Sequence, residues 1–317
     1  MRAGFPDIAA RWGTVAAAVV IFIAFALANE RFVSADNIGN ILVQMSVLMV
    51  ISSGLTVAVA SGEFDLSVGE VASLSGVLVA GLMVWSGLSM ALAIPLAIGS
   101  GLVLGTISGL LVTRLRIPSL IATLAMGPIA LGLNYAYNGG DSIYATFPDN
   151  FYWIATGKIA GIVPVPIVIA GIVVACFYVL LNRTRLGRAI TATGANIQAA
   201  RLSGIKVDRC RLVALILSAA GAAMGGVMLT ARLGTGQPGA GEPYLLDSLT
   251  AVFLGMTAFQ PGRATVQGTL VGVVIIGMLD NGLNLMGVPF WMQNEVRGVV
   301  MIAAVSLAVL RGEIRFF

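Results

Sequence analysis

Two long, almost continuously apolar halves flank one basic island, Asn182 to Arg211. A helix needs about 20 apolar residues to cross the hydrocarbon core, within a range of roughly 17–25. Backbone polar groups in lipid must be satisfied inside each segment, which selects helices. The apolar blocks predict ten spans, over residues 12–28, 39–60, 68–85, 89–113, 118–137, 164–181, 211–231, 245–258, 264–286 and 294–310. The third and eighth are the weakest. The eighth is short with polar flanks, as expected of a half-helix or a re-entrant piece. The fold class is an all-α polytopic membrane protein of about ten transmembrane helices. One transmembrane domain covers 1–317, with a cytoplasmic loop at 182–211.

Composition agrees. The chain is 58% hydrophobic and 10% charged, where a soluble domain carries about 25% charge, and its mean hydropathy is +0.97. Its 39 glycines suit close approach of membrane helices.

Charge sets the orientation. With the N-terminus inside, Arg2, Arg11, Arg114, Arg116, seven island residues, Arg263, Arg311 and Arg315 are cytoplasmic. The island contributes Arg183, Arg185, Arg188, Arg201, Lys206, Arg209 and Arg211. Outside fall Arg31, Lys158, Arg232 and Arg297, only four of the 18 basic residues. The positive-inside rule then predicts N-in and C-in. The N-terminal pattern also fits a signal peptide, with Ala26-Leu27-Ala28 as the cleavage site. The loop 138–163, with Asp141, Asp149, Phe151, Tyr152 and Trp153, is the largest outside segment. Its aromatics suit an interfacial belt.

Several chemistries are excluded by what the chain lacks. It has no His, which removes His-based metal sites, Ser-His-Asp catalysis and His proton relays. No catalytic or metal-binding set is expected. Cys176 and Cys210 do not make a disulfide framework. Lys158 and Lys206 are the only lysines, and neither sits in a P-loop frame. Any ATP is therefore hydrolysed on another chain. The basic residues are tethered to a membrane surface, which speaks against nucleic acid as a partner.

Two weak echoes suggest an inverted repeat. Ser61-Gly62-Glu63-Phe64-Asp65-Leu66-Ser67 ends the second span at the inner face. Gly241-Glu242-Pro243-Tyr244-Leu245-Leu246-Asp247-Ser248 follows the seventh span at the outer face. Gly105-Thr106-Ile107-Ser108-Gly109 is matched by Gly268-Thr269-Leu270-Val271-Gly272. Opposite topology with weak similarity is a transporter pattern that places a pathway between the halves. Chance matches in a glycine-rich chain are the competing explanation.

Within the island, Asn196 can cap a short helix whose small face is Ala199 and Ala200 and whose stop is Gly204. Such a helix can seat in a groove on a partner. A plain positive-inside loop is the alternative, although a patterned 30-residue loop is long for one. Gly187 to Ile205 resembles the cytoplasmic coupling loop of the ribose-type permeases of bacterial ATP-binding-cassette (ABC) importers. Ser61 to Gly69 resembles that family's Asp-Leu-Ser-Val-Gly signature. Arg116-Ile117-Pro118, and Asn281-Gly282-Leu283-Asn284-Leu285 followed by Gly287 and Pro289, resemble its other recurrent stretches. The similarity runs from about Phe32 to Leu310. The chain departs from the family at Gly62-Glu63-Phe64, where Gly-Gly-Ile is usual, and at Asp280, where Asn is common.

The resemblance implies a permease subunit in the bacterial inner membrane, importing a sugar or sugar-like solute by alternating access. It implies a second permease subunit, identical or paralogous, two copies of an ATP-binding subunit, and a periplasmic substrate-binding protein. This chain would bind no cofactor; ATP and Mg would sit on the ATPase. The coupling residues carried over are Arg188, Gly194, Asn196, Ala199, Ala200, Arg201 and Gly204. An ion-coupled secondary transporter and a branched-chain amino-acid ABC permease are the alternatives.

Polar residues at bilayer depth usually face a cavity or a partner. Asp280, Asn281 and Asn284 in the ninth span are candidates for the substrate pathway, with Asn134 in the fifth. Asp280 and Asn284 are four apart and share a helical face. Interhelical hydrogen bonding is the competing role. Glu63, Asp65 and Ser67, with Glu70, form an acidic cluster at the inner mouth. It can gate, pair with the island arginines, or cap the third span.

Overall fold

The computed structural model describes residues 5–144, 146–260 and 262–310. Arg2, Arg311 and Arg315 lie outside the described residues. The helices are α1 (Phe5–Ala28), α2 (Ala35–Ala60), α3 (Val68–Val84), α4 (Met90–Thr113), α5 (Ser119–Asn138) and α6 (Asp149–Thr156). They continue as α7 (Val165–Arg183), α8 (Arg185–Ala195), α9 (Ile197–Leu202), α10 (Val207–Leu233), α11 (Pro243–Met256), α12 (Val266–Leu285) and α13 (Phe290–Leu310). A 3-10 turn, Glu30–Val33, precedes α2. Four two-residue strands form two antiparallel pairs. β1 (Ile143–Tyr144) pairs with β4 (Thr235–Gly236), and β2 (Lys158–Ile159) pairs with β3 (Val163–Pro164).

Each apolar block of the sequence falls on a helix. Among the described residues, α2, α4, α5, α7, α10 and α12 are long and apolar enough to cross a membrane, while Gly13–Ala28 of α1, α3 and α11 are shorter apolar helices. The chain is a multi-pass, all-α membrane protein.

It divides into two compact units. One is Ser46–Leu245; the other is built from described residues of Met1–Met45 and Leu246–Phe317. In the first, α10 is the central helix. Gly101, Gly105 and Gly109 of α4 recur every four residues on its side. A Cβ at Gly105 would stand 2.9 Å from the Ile216 Cα, so only glycine lets the two backbones meet there. On another side, Gly221 lies against Gly54 of α2, Gly226 against Ala72 of α3, and Ser75 Oγ donates to the Ala223 carbonyl at 2.9 Å. The 138–163 loop folds onto the same core. Phe147 and Phe151 are buried with Val77, Ala80 and Ala231. Phe151 therefore packs inward instead of joining an interfacial belt; Trp153 stays exposed.

In the second unit α1 packs on α12. Phe25 covers Gly282, Phe32 packs on Phe22 and Phe25, and the Thr14 and Thr257 hydroxyls meet at 2.7 Å. Gly272 of α12 sits against the Ala251 backbone of α11.

Candidate functional site

The stretch between α2 and α3 is a tightly held elbow. Helix α2 ends in a Schellman motif: Glu63 N–H donates to the Ala58 carbonyl and Gly62 N–H to the Val59 carbonyl, both at 3.0 Å. Gly62 takes φ +85°, the left-handed conformation such an end requires. The next peptides are satisfied from α5. Phe64 N–H donates to Ser119 Oγ at 3.1 Å and Leu66 N–H to Thr123 Oγ1 at 3.0 Å. Asp65 Oδ1 accepts both the backbone N–H and the hydroxyl of Ser67, at 3.0 and 2.6 Å. This is an Asx turn. Ser67 is the N-cap residue of α3 but makes no side-chain cap bond, because its hydroxyl is turned back to Asp65. Glu63 pairs with Arg211 near the start of α10. Glu63, Asp65 and Ser67 are all buried.

The basic island forms a helical hairpin beside this elbow. Thr184 caps α8, its hydroxyl accepting from Gly187 N–H at 2.9 Å. Asn196 caps α9, its side-chain oxygen accepting from Ala199 N–H at 2.9 Å. Helix α9 ends as α2 does: Ile205 N–H bonds the Ala200 carbonyl, Gly204 N–H bonds the Arg201 carbonyl, both at 3.0 Å, and Gly204 has φ +79°. The predicted cap and stop are both present. The small face is divided, since Ala200 is buried and Ala199 exposed. Beside the polar Gln198 and Arg201, α9 presents outward the apolar Ile197, Ala199 and above all Leu202, which is 91% exposed. The sequence reading passed over Leu202. A large apolar residue two positions before a glycine stop, next to the charged Arg201, is the signal the sequence offers.

Hairpin and elbow touch through backbone. A Cβ at Gly194 would lie 2.2 Å from the Ala60 carbonyl oxygen and 3.0 Å from the Gly62 nitrogen. Asp208, at the start of α10, ties in two more elements. Its carboxylate takes both Arg116 guanidinium nitrogens, at 3.0 and 3.2 Å, and Arg201 of α9 stands 3.6 Å away. Arg188 is exposed and reaches back to the Arg183 carbonyl at 3.5 Å.

The elbow also leads, through the start of α3, to the 234–242 segment, whose last two residues open the Gly241 to Ser248 stretch that the sequence placed at the opposite face. The two stretches are neighbours. After α10 ends at Gly234, the chain turns back along α3. Gly236 lies against Val77 and Ala80, whereas Gly241 lies against Gly69 and Ala72, and its N–H donates to Ser73 Oγ at 2.9 Å. That is a return of about two helical turns, about 12 Å. The backbone must approach closely, since a Cβ at Gly241 would meet the Gly69 carbonyl oxygen at 2.3 Å.

The pathway candidates divide differently. Asn134 on α5 is fully buried, and neither of its amide atoms has a hydrogen-bond partner among the described residues. Glu70 Oε2 on α3 is likewise buried without one. In the other unit Asp280 is buried, and its Oδ1 accepts from Arg297 Nε at 2.9 Å, with Asp247 Oδ1 3.5 Å from the same nitrogen. Asn281 forms a reciprocal amide pair with Asn37, at 2.9 and 3.0 Å. Asn284, one turn on, is exposed near the end of α12. Asp280 and Asn284 therefore have different surroundings. No cluster of three or more acidic or Cys residues suited to a metal occurs among the described residues.

Residues 37–305 match the family model described as branched-chain amino acid transport system / permease component. The chain belongs to this family. It is thus a permease component of a transport system. The ribose import permease protein RbsC of Bacillus subtilis is 39% identical over 307 residues, 96% of this chain and 95% of its own. The D-allose transport system permease protein AlsC of Escherichia coli is 36% identical over 293 residues, 92% and 88% of the two chains. The L-arabinose ABC transporter permease protein AraH of Azospirillum brasilense is 32% identical over 305 residues, 96% and 89%. No solved structure matches the chain.

Proposed function

We propose that this chain is the membrane permease subunit of an ATP-driven importer of a sugar or sugar-like solute. The observation that carries the solute class is the full-length similarity to permeases named for ribose, allose and arabinose. The family description names branched-chain amino acids, so an amino-acid importer is the second reading. A lone ion-coupled transporter would rest on Asp280, and that carboxylate is already held by Arg297.

In this reading the chain lies in a bacterial inner membrane, N-in and C-in, with about ten spans related by an inverted repeat. It pairs with a second permease subunit, identical or paralogous. Two ATPase subunits carry ATP and Mg, and a periplasmic binding protein delivers the solute. Helix α9 docks on the ATPase through Ile197, Ala199 and Leu202, with Asn196 and Gly204 fixing its ends. Gly194 and the Glu63–Arg211 pair pass its motion to the elbow. The elbow moves the start of α3 against the 239–242 segment. The meeting of two helix interruptions supports this, since transporter sites are commonly built at broken helices. Asn134, with its unpartnered amide, is available to solute hydroxyls; Asp280, Asn281 and Asn284 are the pathway candidates of the other unit.

The test is uptake of labelled ribose by proteoliposomes carrying this chain, its ATPase and its binding protein. Excess ribose, allose or arabinose should compete, and leucine should not. Competition by leucine alone would favour the amino-acid reading.

A further inference from the structure

An apolar groove of about 610 Å³ runs along the outer surface of α7 and the start of α8. That volume is typical of a small-molecule site. Ile172, Cys176, Val179, Leu180, Thr184 and Leu186 line it. Ile172, Cys176 and Val179 are exposed. The one hydroxyl in the lining is spent locally: Thr184 Oγ1 donates to the Leu180 carbonyl and accepts from Gly187 N–H. The groove therefore offers an occupant almost pure hydrocarbon.

One end of the groove is strongly basic. Arg183 follows Val179 by four residues and Cys176 by seven, so it continues the lining stripe of the helix. Arg188 returns to the same place, its Nη1 lying 3.5 Å from the Arg183 carbonyl. Arg185 stands between them in the chain. All three are exposed, and no ion pair engages them among the described residues. From Thr184 to Ile172 the groove covers twelve residues, about 18 Å of helix. One leaflet of the hydrocarbon core is about 15 Å deep.

We propose that this groove is a binding site for an anionic phospholipid. One acyl chain lies along Ile172 to Leu180, and the phosphate rests on Arg183, Arg185 and Arg188. The matching length selects a single-leaflet chain. The unneutralised arginines select an anionic headgroup over a zwitterionic one. A lipid held here would brace the α7–α8 joint, and with it helix α8, which carries Gly194 near its end. The proposal rests on the multi-pass membrane reading and is independent of the solute and the ATPase.

Native mass spectrometry of the delipidated, detergent-purified importer tests it, by titration with dioleoyl phosphatidylglycerol and, separately, dioleoyl phosphatidylcholine. Wild type should retain the anionic lipid preferentially. Arg183→Gln with Arg185→Gln should reduce that preference about fivefold per arginine removed. Cys176→Trp, which fills the groove and leaves the charge in place, should reduce retention of both lipids. Equal retention of the two lipids by wild type would overturn the proposal. So would anionic retention that survives Cys176→Trp, which would mark attraction to the arginines alone. Protection of wild-type Cys176 from a bulky maleimide in the delipidated complex would show that a second protein chain covers the groove, and would also overturn it.

Discussion

The elbow with its helical hairpin and the polar group around Asp280 are both rich in residues that stand out in the sequence, yet they are built differently. At the elbow the geometry is set by backbone turns and close backbone approaches, with side chains that cap the free peptide groups. Two Schellman ends at Gly62 and Gly204, an Asn196 cap and the Gly194 approach to Ala60 leave little freedom. Around Asp280 the geometry is set by side chains from separate helices: Arg297 between two carboxylates, and Asn37 paired with Asn281. The first construction makes a rigid unit that can be pushed as a whole. The second fixes helices to one another, and its residues are largely occupied by that task.

The sharpest way to separate these roles is to remove Arg297. Arg297→Ala leaves Asp280 and Asp247 buried without their shared cation, at a cost of about 3–5 kcal/mol. Chemical denaturation in detergent should show it, and Asp280→Asn should be far milder, with uptake retained. At the elbow, Glu63→Gln weakens the pair with the partly exposed Arg211, costing about 2 kcal/mol. Transport should fall more than stability, and ATP hydrolysis should become uncoupled from uptake; the ratio of the two rates measures this. Asn196→Ala removes the α9 cap, for about 1 kcal/mol. The smallest stability effect belongs to Leu202→Asp, within about 0.5 kcal/mol because the side chain touches solvent. Its thermal midpoint should match wild type even if ATPase binding is lost.

The contrast also explains what could be read from the sequence. Helices were legible because long apolar blocks admit little else in a membrane. The cap at Asn196 and the stop at Gly204 were legible because both are local, decided within a few residues. The partners of Asp280 and Asn281 lie 17 and 244 residues away, and no spacing rule reaches that far. The contact of Gly241 with Gly69 was not legible for a related reason. Hydropathy assigns a chain end to one face or the other, and it has no term for a segment that leaves α10 and folds back along α3. The small face of α9 was read as one surface, whereas helix rotation sends Ala200 inward and Ala199 outward.

The most direct measurement is co-purification of the tagged chain with its ATPase in mild detergent, wild type beside Leu202→Asp, with the protein ratio read by mass spectrometry. The expected result is near-equal ATPase with wild type and loss of it in the variant, at unchanged folded yield and thermal midpoint. ATPase retained in full by a folded Leu202→Asp chain would contradict docking through α9, and no ATPase with wild type, even after crosslinking, would contradict the ATP-driven importer itself.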